Sequence, residues 1–237
     1  MNHRKHSAVT DASRLRSDPI LIRIGPMQEK YYIHEKLLRS NAGFFDTALK
    51  KEWKEGEDRV VDMPEADDEA FGICVKWLYT GLVFSRKEGD MIMNDGVRIR
   101  NKEWPRCSAC YALGDFLQDP DFKDALVDTI IEAMIDSCLL PKCLFLKIYR
   151  YSTKTSCHRI FAVDVFVHCL SRESWGHPKN DQNLEFLTDV LKNVGPTLQK
   201  GLSCVTTQEF LDATKTCQYH DHGSDKPCYR IKPAFQF

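Results

Sequence analysis

The three runs best suited to β-strands all end by Met63: Ile20–Ile24, Lys30–Ile33 and Arg59–Met63. They are short and rich in β-branched and aromatic residues. Gly25-Pro26 between the first two marks a turn, so those two runs read as a hairpin. From His34 onward the apolar residues recur at helical spacing. Such a chain folds as a small three-stranded sheet flanked by helices, followed by an all-helical extension, which is the α+β class.

The helices are traced by their faces and ends. A short helix is expected over His34–Arg39. The next carries Phe44, Phe45, Ala48 and Leu49, with Ser40 or Asn41 as its cap. After the charged segment Lys50–Asp58 and the third strand, Asp67, Asp68 and Glu69 open a helix, their charges suited to the positive end of its dipole. Ala70, Phe71, Cys74, Trp77 and Leu78 form its apolar face, and Gly81 is a natural stop. Residues 82–104 read as a long loop with at most a weak hairpin. Helices resume after Pro105, first with a face of Ala109, Ala112, Leu113 and Phe116. The clearest helical period follows: Phe122, Ala125, Leu126, Thr129, Ile130, Ala133 and Met134.

Beyond Leu140 helices are expected over Leu144–Tyr151, Arg159–Leu170 and Leu184–Val194, with a polar connection over Ser174–Asn183. Thr206-x-x-Glu209 has the form of a capping box for a last short helix. The expected organisation is a disordered leader over 1–17, a sheet-and-helix domain over 18–136 with the 82–104 insertion, a helical region over 137–214, and a Cys/His-containing tail over 215–237.

The charge balance is close to neutral, 33 basic against 34 acidic residues, which gives no long-range attraction for phosphate backbones or anionic membranes. Protein partners are therefore expected, not nucleic acid or membrane. No stretch approaches the roughly 20 apolar residues that span a bilayer. The leader is polar and mildly basic, without the apolar core of a secretory signal; a mitochondrial presequence is also basic, but this stretch has no apolar face. The ten cysteines then read as reduced thiols in a cytoplasmic or nuclear protein. Among them Cys74, Cys138, Cys143 and Cys169 stand next to apolar residues as small buried hydrophobes.

The order Ile33-His34-Glu35-Lys36-Leu37-Leu38, Ala42-Gly43-Phe44-Phe45, strand, Pro64-Glu65-Ala66-Asp67-Asp68-Glu69-Ala70-Phe71 and Trp77-Leu78-Tyr79-Thr80-Gly81 resembles the BTB/POZ domain over residues 18–135. The whole chain, with its helical second half and Cys/His tail, is similar to the BTB-domain proteins numerous in filamentous fungi. Glu35 stands where that family usually has lysine. The resemblance implies a protein-interaction module, pairing as a homodimer or hetero-oligomer. His34 would be a structural histidine that donates to a neighbouring carbonyl, and the aromatics would be core.

Three constellations stand out. Trp53-Lys54-Glu55 lies where BTB adaptors that bind a cullin scaffold carry a hydrophobic-x-Glu motif. Trp53 would enter a cullin pocket and Glu55 would meet its polar rim; otherwise Trp53 folds back onto its own domain. Cys217-x-x-His220-x-His222-x5-Cys228 offers two thiols and two imidazoles, a suitable tetrahedral set for zinc, with Gly223 and Pro227 helping the chain return. A surface tail with incidental Cys and His is the other reading. Its spacing is not that of a DNA-reading finger, which needs about twelve residues between ligand pairs. Cys107-x-x-Cys110 suits metal or redox chemistry, but structural cysteine is the better reading.

No phosphate loop, nucleophile elbow or zinc-protease helix occurs, so no catalytic residues or organic cofactor are assigned and the chain is not expected to be an enzyme. The expected function is partner binding, with substrate adaptation for a cullin ubiquitin ligase as its most concrete form. The alternative is a corepressor-type nuclear regulator without a DNA-binding finger of its own.

Overall fold

The computed structural model describes residues 15–50, 52–94, 97–169, 183–200, 207–212, 216–222 and 226–232. The leader before Leu15, most of the 174–183 connection, Thr206 of the capping box and Gly223 lie outside the described residues. By internal contacts the chain forms two compact units. One is Met1–Ser85 with Ala109–Leu126 and His222–Phe237; the other is Arg86–Ser108 with Val127–Asp221.

In the first unit, β1 (Pro19–Ile24) is the central strand of a sheet in the order β2-β1-β3. It pairs antiparallel with β2 (Glu29–His34), with Ile22 opposite Tyr31, and parallel with β3 (Val60–Met63), with Ile22 opposite Val61. The alternation of β1 buries Ile20, Ile22 and Ile24 on one face. Gly25 takes the left-handed conformation (φ 68°) that the hairpin turn requires.

Helices α1 (Glu35–Asn41) and α2 (Gly43–Ala48) meet at Ala42, without side-chain capping. The expected caps act otherwise: Asn41 is still helical, and the Ser40 hydroxyl turns back to the Leu37 carbonyl. Lys54–Asp58 forms the short α3, where a charged break was expected. Arg59, left-handed at φ 55°, closes α3. Glu35 bridges two arginines here, bonding Arg39 and Arg59 at 3.1 Å each. That gives the acid a local role.

Helix α4 (Asp68–Thr80) matches its sequence signals. The Asp67 carboxylate accepts from the Ala70 amide at 2.8 Å, and Gly81 ends the helix at φ 66°. His34 is held by the Tyr79 hydroxyl, 2.8 Å from Nδ1, and not by a carbonyl.

Within residues 82–104 the weak hairpin expected from the sequence is present as a strand pair. β4 (Met91–Asn94) and β5 (Val97–Asn101) form an antiparallel pair, and α5 (Glu103–Phe116) starts two residues ahead of Pro105. Proline is tolerated there because amides in a first helical turn have no intrahelical acceptor. The buried residues of α5 include Cys107, Cys110, Tyr111 and Leu113, whereas Phe116 is 54% exposed. The buried face is thus displaced from the expected Ala/Phe face: Cys107, Cys110 and Tyr111 are buried with Leu113. α6 (Pro120–Ser137) follows the predicted period, with Trp77 packed on Phe122 at 5.2 Å.

In the second unit, α7 (Lys142–Arg150), α8 (Cys157–Cys169) and α9 (Leu184–Lys200) pack around Phe186, which meets Phe145, Tyr149 and Phe166 at centroid distances of 5.1–6.3 Å. α9 runs beyond the expected Val194, because Pro196 removes one amide donor without ending the helix. A short α10 (Thr207–Asp212) follows. Among the described residues no helix is long and apolar enough to cross a membrane.

None of the described cysteines forms a disulfide. Cys74 is buried as expected, and burial pushes its thiol pKa well up. Cys138 is exposed instead: it sits just past the end of α6 in a left-handed conformation (φ 56°), which turns it away from the helix's apolar face. The Cys143 side chain lies outside the described residues.

Candidate metal centre

The four residues Cys217, His220, His222 and Cys228 come together. One ligand atom from each lies within 4.8 Å of all the others, so the cluster can hold a metal ion. A tetrahedral zinc ion with bonds of about 2.0–2.3 Å separates its ligands by about 3.3–3.8 Å. Closing on the ion therefore takes movements of roughly an ångström at the widest pairs.

Two tight turns build the cluster. Thr216–Tyr219 is a single 3-10 turn, and the His220 amide bonds the Cys217 carbonyl at 3.3 Å. This places the first thiol and the first imidazole on one turn, as the Cys-x-x-His spacing implies. Cys228 opens a second 3-10 turn, Tyr229–Ile231, whose Ile231 amide bonds the Cys228 carbonyl.

His220 and Cys228 are buried, at 2% and 8% exposure, and Cys217 faces solvent.

The residues around the first pair are anchored individually within the second unit. The Tyr219 ring packs edge-on against Phe161 at 5.2 Å, and its hydroxyl donates to Asp164 at 3.1 Å. Burial raises the pKa of both Tyr219 and Asp164; in Asp164 the bonds from Tyr219 and Asn193 oppose the shift. His220 Nε2 lies 3.0 Å from the Asp128 carboxylate of α6. Asp221 sits at the start of α8, accepting from the Cys157 amide at 2.6 Å and the Ser156 hydroxyl at 2.5 Å. Acceptance of the first amides by a carboxylate is favourable at a helix N-terminus.

Sequence reasoning missed Asp128, Tyr219 and Asp221. Asp128 stands in line with Asp124, Glu132 and Asp136 on α6 and so reads as one of a polar stripe. Its partner, 92 residues away, leaves no signal.

The other two constellations are placed separately. Trp53 is 55% exposed at the start of α3, with Glu55 also exposed. Trp53 does not fold back into the core. The segment is held tightly: a β-carbon on Gly56 would lie 2.2 Å from the Lys50 carbonyl oxygen, so only glycine fits. Cys107 and Cys110 are both buried completely within α5, and the Cys110 thiol approaches the Ala70 carbonyl at 4.0 Å. Burial of that kind suits structural cysteine.

Compared with known proteins, the chain matches no family model and no curated protein.

Proposed function

We propose that this chain is a non-enzymatic protein-interaction module of the BTB/POZ type, and that its Cys217/His220/His222/Cys228 cluster holds a structural zinc ion. The α+β architecture, with its small sheet in the order β2-β1-β3 and α4 closed by Gly81, is compatible with that reading.

The observation that carries the interaction reading is the exposure of Trp53. A large aromatic held half in water at the start of a short helix is the kind of anchor that fills a partner's pocket. Glu55, one residue beyond Lys54 on the same helix, supplies the acid of the hydrophobic-x-Glu pattern. The partner is a cullin scaffold, and the protein acts in the cytoplasm or nucleus, self-associating or pairing through its first unit.

Two thiolates and two imidazoles complete a four-ligand shell with no position left open. That is the chemistry of a structural site and not a catalytic one.

Trp53→Ala should raise the Kd for a purified cullin N-terminal domain roughly thirtyfold, the loss of about 2 kcal/mol typical of a hot spot. The circular dichroism spectrum should stay unchanged. Equal affinity of the variant and the parent chain overturns the cullin reading.

A further inference from the structure

The ring of His220 has a second contact that bears on how it would bind metal. Its Nε2 lies 3.0 Å from Asp128 Oδ1, and both residues are buried. An ionised carboxylate only accepts, so Nε2 carries the proton. A neutral imidazole with its proton on Nε2 presents its lone pair on Nδ1. Metal-bound histidines commonly donate their other ring N–H to a carboxylate, which sets the tautomer and raises ligand basicity.

We infer that Asp128 is a positioning residue for the metal centre, and that it makes His220 a ligand through Nδ1. This inference rests on the zinc reading above. The rest of the segment supports it. Tyr219 and Asp221, on either side of His220, are fixed by Asp164 and by the start of α8, so the imidazole is delivered to Asp128 by a backbone held at both flanks. Asp128 itself stands on α6, a helix buried along most of its length. The orienting group is therefore preformed by the fold, while the ligands come from the C-terminal segment.

The test uses the full-length chain labelled with nitrogen-15, titrated with zinc chloride and read by long-range proton–nitrogen spectra of the histidine rings. The result expected is a zinc-loaded His220 with its proton on Nε2 and the metal on Nδ1. Competition with a chromophoric chelator then gives zinc affinities for the parent chain, Asp128→Ala and Asp128→Asn.

Asp128→Ala should weaken zinc binding by about 10- to 100-fold. Asp128→Asn should recover part of that loss, because its amide oxygen still accepts from Nε2 without the charge. A merely structural Asp128 would lower thermal stability equally with and without zinc and leave the affinity in place.

Metal on Nε2 of His220 in the parent chain overturns the inference while leaving the zinc reading intact, and needs no variant to fold. Zinc affinity of Asp128→Ala within twofold of the parent does the same. Failure of the parent chain to take up zinc at all defeats the zinc reading, and this inference with it.

Discussion

In the sheet, Ile20, Ile22, Ile24 and Ile33 are removed from water almost completely, and they are held by apolar neighbours. In the region after Ser137, Ser156, His158, Arg159 and His220 are buried nearly as deeply, and they are held by specific polar partners. Arg159 shows the second mode best. Its guanidinium bonds the Tyr149 and Ser152 carbonyls at 2.9 Å and Glu185 at 2.8 Å, and it lies over the Tyr149 ring at 4.5 Å. One side chain thus fixes the end of α7 against the start of α9. A hydrophobic contact tolerates a substitute of similar volume. A buried charge with four partners does not, because removing it strands groups that have lost their water.

That difference can be broken by mutation. Ile22→Ala should cost about 4 kcal/mol of unfolding free energy in urea, and Ile22→Val only about 1. Arg159→Met, which keeps much of the stem, should still cost about 2–3 kcal/mol. If Arg159→Met falls below 1 kcal/mol, the polar mode is a packing effect and the comparison fails.

A pH-dependent effect sharpens it within the first unit. Asp119 is buried at the start of α6, its carboxylate bonding the Phe122 amide at 3.0 Å. Burial pushes its pKa up to about 8 from the ordinary 3.8. The folded state then keeps a proton that the unfolded state releases, so stability is greatest below pH 4 for this group and falls as pH rises to about 8. Chemical denaturation at pH 5, 6 and 7 should show a loss approaching about 1.4 kcal/mol per pH unit relative to Asp119→Asn. Parallel pH profiles for the two proteins would remove Asp119 as the source.

Much of the sheet and of α4 and α6 was legible because its signals are local. The alternation of β1, the cap at Asp67, the stop at Gly81 and the period of α6 each sit within a few residues of what they specify. The face of α5 was misread because apolar residues stand on more than one side of the helix, and spacing alone does not say which side is buried. The β4–β5 pair was weak in the sequence because its strands mix charged and apolar residues.

At the candidate metal centre the clustering of the four side chains was legible from spacing, since Cys217 and His220 share one turn. Their supports were not. Asp128, Ser156 and Asp164 reach the segment across 55 to 92 residues, and nothing local marks an aspartate as the partner of a distant histidine or tyrosine.

Metal analysis of the full chain, purified without chelator or affinity tag, tests the account's central claim most directly. About one zinc per chain is expected, and Cys228→Ser should lose most of it and unfold at a lower temperature. Zinc content near zero, with Cys228→Ser as stable as the parent, would contradict it.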